Sequence, residues 1–227
     1  IRSFYKYLTS KAKLISENPM QDLDSPRLKK SLPRYLSLDE SIQLLEAVDE
    51  PNQARDYCIL TLFLNCGLRI SELVSLNTTD VREEQLRVLG KGNKERMIFL
   101  NEACRAALDD WLEERSRQAA ADPNALFLTR THTRMTKDAV HYMVKQRLKK
   151  AGLDASLYSS HKLRHTAATL MLQNGVDVRT LQEVLGHENL NTTQIYTHVD
   201  NENLRSAAKA NPLGRMKKKS TPIPPGK

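Results

Sequence analysis

Apolar residues recur along most of this chain at helical spacing, and one stretch is apolar nearly all round. Leu38, Ile42, Leu45 and Val48 predict an amphipathic helix with one buried face. Ser37 opens it and Glu40 follows three residues later, the pattern of a reciprocal N-terminal cap. Tyr57 to Leu64 has scarcely a polar face, which predicts a helix buried at the centre of the fold. Gly67 stops it, and Arg69 begins a further element with Leu73 and Leu76 turned inward. Cys104, Ala107, Leu108, Trp111 and Leu112 mark the inner face of a helix over 101–117, with the tryptophan in the core. Leu126 to Leu128 is a short extended piece. Thr136 caps a helix whose inner face is Val140, Met143, Val144 and Leu148. Leu163, Ala167, Leu170 and Met171 form the stripe of another, ended by Gly175. Asp177 caps a short helix carrying Val178, Leu181, Val184 and Leu185, and Gly186 ends it. A last helix over 200–209 carries Leu204, Ala207 and Ala208; it is too short to be stable alone.

The helical period breaks once. Leu86 and Val88 alternate with Gln85 and Arg87, Gly90-Lys91-Gly92-Asn93 makes a turn, and Arg96 to Leu100 returns. The expected fold is therefore mainly α with a small β-hairpin or three-stranded sheet. Towards the ends, Ile1, Phe4, Tyr5 and Leu8 share a face, which predicts a helix over 1–16. Residues 17–36 hold three prolines, Pro19, Pro26 and Pro33, with a basic patch at Arg27, Lys29 and Lys30, and read as an interdomain linker. Residues 37–210 carry the periodic segments and form the main domain. Residues 211–227, rich in Pro and Gly and with Lys217-Lys218-Lys219, are expected to be a disordered basic tail.

Composition narrows the class. A chain of 227 residues with 40% hydrophobic content can bury a sizeable core. Its net charge of +8 favours a polyanionic partner such as DNA, RNA or a membrane surface. Aromatics make up only 5%, so stacking on unpaired bases is not the expected contact. No apolar run approaches the ~20 residues of a membrane span, and residues 1–30 lack the apolar core of a leader peptide. Cys58, Cys66 and Cys104 are odd in number and widely spaced in apolar contexts, as expected of reduced core cysteines in a cytoplasmic protein. No CxxC or HExxH motif and no paired acids suggest a metal, and no cofactor is expected.

Candidate chemistry gathers late in the chain. His161 and Arg164 are three apart and share one helical face. His187 follows the Gly186 helix stop, and Tyr196 comes after a polar run rich in Asn and Thr. A lone tyrosine there would be a partly buried one with its hydroxyl bonded. An arginine at 69, beside so apolar a helix, must be paired or must point into a cleft. Glu72, three residues on, could be only its salt-bridge partner.

Two upstream stretches change that balance. Residues 66–73 read CGLRISEL and residues 89–96 read LGKGNKER. Together with HKLRH at 161–165, LGH at 185–187 and Tyr196, they closely resemble the catalytic domain of tyrosine recombinases, the phage integrase family, and its Xer branch in particular. The resemblance runs from about Ser31 to Ala210. The family's order of Arg, Lys, His-x-x-Arg, His and Tyr falls on Arg69, Lys91, His161 with Arg164, His187 and Tyr196, with no position vacant. It implies a site-specific recombinase needing neither metal nor ATP. Such an enzyme cuts double-stranded DNA one strand at a time through a 3′-phosphotyrosyl bond and exchanges strands through a four-way junction.

Within that resemblance each residue takes an expected role. Arg69 and Arg164 hold phosphate oxygens, His187 donates to the same phosphate, and His161 serves proton transfer at the nucleophile Tyr196. Lys91, at the hairpin tip, is the general acid. Lys94 and Arg96 nearby read as phosphate contacts. Arg134, Lys137, His141 and Lys145 lie at or on the basic outer face of the 136–150 helix. That face is either solvated or, as the resemblance implies, laid in a major groove. Residues 1–16 resemble the last helix of an N-terminal DNA-clamping domain, which would make the chain a fragment. The 200–209 helix is expected to dock on a neighbouring protomer in a tetramer on two sites. A catalytically inactive DNA-binding regulator and a type IB topoisomerase are the alternatives.

Overall fold

The protein is described by a computed structural model covering residues 1–23, 34–49, 52–90, 92, 94–186 and 201–217. The chain divides into two units, residues 1–33 and 34–227. In the first, helix α1 spans Arg2–Ser10 with no buried residue. It is shorter than its pattern predicts: the N–H groups of Ala12 and Leu14 bond back to the Tyr7 and Leu8 carbonyls, and Lys13 takes the left-handed conformation at φ 51°.

The second unit is built on α3, Gln53–Cys66, whose residues from Ala54 to Cys66 are all buried. The all-round apolar pattern of Tyr57 to Leu64 thus marks the centre of the fold. Before it comes α2, Leu38–Glu46, closed by the reciprocal cap its sequence predicts: Ser37 Oγ accepts from the Glu40 N–H at 3.1 Å, and Glu40 accepts from the Ser37 N–H at 2.7 Å. Leu44 and Leu45 turn inward, while Leu38, expected on the buried face, is 37% exposed at the first turn. After α3 comes α4, Ile70–Ser75, and then the strands β1, Val81–Arg82, β2, Gln85–Leu89, and β3, Glu95–Phe99. They form one antiparallel sheet in the order β1-β2-β3, with Leu86 opposite Ile98 and Val88 opposite Arg96.

Helices α5, Glu102–Ser116, and α7, Ser160–Gln173, flank α3. Trp111 of α5 is fully buried, stacks on Phe127 and donates its indole N–H to the Leu126 carbonyl at 2.9 Å. Helix α6, Lys137–Lys150, is capped by Thr136 and buries Val140, Met143, Val144 and Leu148 as predicted. Between α3 and α6, Arg147 holds Asp56 at 2.7 Å, and Arg55 donates to the same carboxylate, so these buried charges are paired. Helix α8, Val178–Leu185, is capped by Asp177 and closed by Gly186 in the left-handed conformation. Val178 stays 61% exposed, while Leu181 and Leu185 are buried in the small apolar cluster with Met171 and Val176, and Val184 packs against it. Cys58, Cys66 and Cys104 are free and buried.

Two boundary expectations are corrected. Leu36, assigned to the linker, is fully buried, and its N–H bonds Thr166 Oγ1 at 3.0 Å, so the domain starts earlier. Asn211 and Leu213, assigned to the tail, belong to the domain: both are buried, and Asn211 Nδ2 donates to the Leu64 carbonyl. Residues 218–227 lie outside the described residues. The final helix is α9, Asn201–Ala210. In the single chain Ala207 packs beside Leu181 and Leu185, and Arg205 lies over the Phe99 ring and pairs with Glu84.

Asn101 ties these pieces together. Its Oδ1 caps α5 by accepting from the Cys104 N–H, and its Nδ2 donates to Asn65 Oδ1 at 2.9 Å and the Ala208 carbonyl at 3.1 Å. Asn101→Ala removes a cap and leaves buried acceptors unmet, so it is expected to cost about 2–3 kcal/mol of stability. The check is urea unfolding, with a lower midpoint and an unchanged slope. A midpoint at the wild-type value would contradict the role given to this amide.

Candidate active site

The end of α3 and the ends of α4, α7 and α8 meet beside β3. Gly67 makes the meeting possible. It sits at φ 59°, and a Cβ there would lie 2.6 Å from Leu185 Cδ2. A side chain would thus be strained by the backbone and blocked by α8. Leu68 then fills the core, and Arg69 becomes the residue that caps α4.

Glu72, in the first turn of α4, organises the arginines. It is only 3% exposed. Its Oε1 accepts from Arg69 Nη1 at 2.7 Å and Arg96 Nη1 at 2.9 Å. Its Oε2 accepts from the Arg69 backbone N–H at 2.8 Å and Arg96 Nη2 at 3.0 Å. Burial alone would push this carboxyl up; the hydrogen bonds from Arg96 and the Arg69 N–H, with the charges beside them, outweigh it and hold it below the usual range.

Arg164 approaches from the first turns of α7 and is buried. Its Nη1 donates to the Gly67 carbonyl at 2.5 Å and its Nη2 to the Leu185 carbonyl at 2.7 Å. Arg69 reaches the same turn, with Nη1 3.4 Å from the Leu185 oxygen and Nη2 3.0 Å from that of Gly186. Both guanidiniums therefore converge on the C-terminal end of α8, where carbonyls carry the negative end of the helix dipole. Burial, with Arg69 and Arg96 nearby, pushes Arg164 down to about 10, so it is cationic at neutral pH but poorly compensated. Arg69 and Arg96 share one carboxylate, and Arg164 beside them bonds only carbonyls. Among the described residues the corner therefore holds more cations than carboxylates, an arrangement suited to an anion.

His161 lies three residues before Arg164 on the first turn of α7 and is exposed. Lys91, His187 and Tyr196 lie outside the described residues. His187 follows Gly186 directly, so the turn that both arginines bond is the turn that delivers it. Of the six motif positions, Arg69 and Arg164 bond the same turn, and His161 stands one helical turn before Arg164.

The outer contacts divide. Lys94, Lys137 and His141 are exposed. Arg134 was expected on the DNA-facing side, but its guanidinium binds Asp122 at 2.8 Å, the Val74 and Leu76 carbonyls and Asn77 Oδ1, and so clamps a loop. Lys145 likewise donates to the Ala155 and Tyr158 carbonyls. Arg96, expected on phosphate, is turned inward onto Glu72. The sequence held a signal for this: Ile98 faces the core, and a strand's period of two puts Arg96 on the same face. The spacing of Arg69 and Glu72 suggested their pair, though not that Glu72 serves two arginines. Among the described residues no helix is long and apolar enough to cross a membrane.

The profile of the phage integrase family matches residues 34–203. The chain is 55% identical over 216 residues to a tyrosine recombinase XerC of Caldanaerobacter subterraneus subsp. tengcongensis, covering 95% of this chain and 61% of that protein. It is 40% identical over 226 residues to a tyrosine recombinase XerC of Vibrio cholerae, covering 96% and 71%. Thus it spans about three fifths of the length of the first of these relatives. Among solved structures it resembles a XerA recombinase, with TM-score 0.66, 31% identity, and 91% and 80% of the two chains covered. It also resembles the XerH site-specific recombinase bound to palindromic difH substrate in a post-cleavage complex, with TM-score 0.62, 30% identity, and 79% and 53% covered.

The depressed Glu72 carboxyl has a pH consequence. Its contribution to stability is complete above the unfolded value of ~4.3 and is lost as pH falls through the lower folded value. Glu72→Gln is expected to cost about 3 kcal/mol at pH 7, because the arginines lose their shared anion. Urea unfolding at pH 7 and pH 3 checks this. The gap between wild type and variant should narrow at the lower pH, and a gap of constant size would contradict the charge assignment.

Proposed function

Because this chain belongs to the phage integrase family, we propose that it carries the catalytic region of a site-specific DNA recombinase. The observation that supports this most is the convergence of Arg69 and Arg164 on one turn with positive charge to spare. Two planar guanidiniums suit the two non-bridging oxygens of a phosphodiester. Fixed cations at oxygens that gain charge in the transition state are usually the largest catalytic contribution.

The reaction proposed is an in-line transesterification. Tyr196 Oη attacks phosphorus and loses its proton, with His161 serving that transfer. Arg69, Arg164 and His187 hold the charge that builds on the phosphoryl oxygens. The bond to the 5′-oxygen breaks as Lys91 protonates it, leaving a 3′-phosphotyrosyl link and a free 5′-hydroxyl. A 5′-hydroxyl from the partner strand then attacks that link, and tyrosine leaves. One phosphoester bond forms for each one broken, so no ATP is required. The arginines neutralise the phosphate, so no metal is required either.

The proposed partners are double-stranded DNA bearing a recombination site and further protomers, in a tetramer on two sites, in the cytoplasm. The net charge of +8 supports the first. The exposed Lys137 and His141 of α6 are the side chains proposed to enter the major groove, and Lys94 to contact phosphate. Helix α9 would exchange its own-domain contacts for a neighbour's during assembly.

Covalent trapping tests the reading. The protein is incubated with nicked DNA carrying a candidate site, denatured, and resolved by electrophoresis. Wild type should give a slow protein–DNA band that Tyr196→Phe abolishes, and Arg164→Ala should cut its rate of formation by about 10²–10³. DNA binding without any band would point to an inactive DNA-binding protein. Relaxation of a plasmid lacking the site, without strand exchange between two marked sites, would point to a topoisomerase. The same band should form in EDTA, and its loss there would overturn the metal-free mechanism.

A further inference from the structure

We propose that Arg96 is a positioning residue for this reaction and not a DNA contact: it shares Glu72 with Arg69 and braces the turn that leads to His187. The inference rests on the recombinase reading above. It starts from the sheet register. Arg96 faces Val88 across β2–β3 and shares the inward face with Ile98. Its side chain is only 16% exposed. The guanidinium is engaged on three nitrogens, with Nη1 and Nη2 on the two Glu72 oxygens at 2.9 and 3.0 Å and Nε 3.3 Å from the Val184 carbonyl. A group so placed has little left to offer a phosphate.

Two consequences follow for the site. Glu72 alone with Arg69 would make a neutral pair, and Arg69 would then hold a phosphate less strongly. A second guanidinium on the same carboxylate keeps Arg69 in place while returning the net charge to the corner. The second consequence is steric. A Cβ on Gly186 would stand 3.0 Å from Arg96 Cζ, so the guanidinium lies directly against the left-handed turn after α8. Arg69 and Arg164 bond the carbonyls of that turn, and His187 follows it. Arg96 is also five residues beyond Lys91 on the same hairpin. One side chain thus joins β3, which follows Lys91 in the chain, to the turn that precedes His187 in the chain.

The geometry demands a fork. Lysine keeps the charge but cannot bond both oxygens of Glu72 and the Val184 carbonyl in one plane. The test compares wild type, Arg96→Ala, Arg96→Lys and Tyr196→Phe for single-turnover formation of the covalent complex, and for DNA affinity by gel shift over a range of salt. Thermal melts confirm folding, and Arg96→Lys decides if the alanine variant unfolds. Both Arg96 variants should form the complex at least tenfold more slowly. Their DNA affinity should stay within about threefold of wild type, with an unchanged salt slope.

A lysine variant with wild-type cleavage would overturn the proposal. So would a loss of affinity accompanied by a fall of about 1 in the salt slope, the mark of a lost phosphate contact. If wild type itself forms no complex that Tyr196→Phe abolishes, the recombinase reading fails, and the role of Arg96 fails with it.

Discussion

One buried carboxylate governs the charged corner of this protein. Glu72 accepts from the side chain and backbone of Arg69 and from both terminal nitrogens of Arg96. Burying a carboxylate is costly unless its lone pairs are met, and here each oxygen meets two donors. The arginines gain orientation from it, but they outnumber it. Among the described residues the corner is therefore rigid and electrically incomplete at once, as the proposed phosphodiester substrate would require. A site with one acid per base would be just as rigid and would attract nothing.

That corner is held by close approach of helices. Gly67 lets the end of α3 touch α7 and α8, and Arg164 exploits the contact by bonding the carbonyl of Gly67 on one side and that of Leu185 on the other. The small cluster of Met171, Val176, Leu181, Leu185 and Ala207 seats α8 beside α7 and α9. Hydrophobic packing fixes where the helix ends lie, and the arginines then read the carbonyls those ends expose.

Much of this was legible in the sequence, for definite reasons. An apolar pattern with no polar face could only be a central helix, and α3 is one. Ser37 with Glu40, Thr136 and Asp177 are caps wherever they stand, because local hydrogen bonds define them. Motif spacing picked out Arg69 and Arg164, which bond the same turn, and His161 one helical turn before Arg164; Lys91, His187 and Tyr196 lie outside the described residues. What the sequence hid depends on distant partners. Arg96, Arg134 and Lys145 looked like surface cations, yet each meets acceptors from elsewhere in the chain. Leu36 looked like linker because its partner, Thr166, is 130 residues away. Composition likewise hid the burial of Asn211 and Leu213, since they fill a place that α2, α3, α5 and α9 create together.

That last attachment bears on how the chain is born. The central helix closes at Cys66, but the amide that caps the Leu64 carbonyl comes 147 residues later, from Asn211. A ribosome adding ~5–20 residues per second leaves the floor of the core uncovered for many seconds after α3 emerges. Until Asn211 and Leu213 are out, the nascent domain has an open seam along its most apolar helix. The arginine corner sits at the end of that helix, so the helix that positions it is not fully covered until Asn211 and Leu213 have been made.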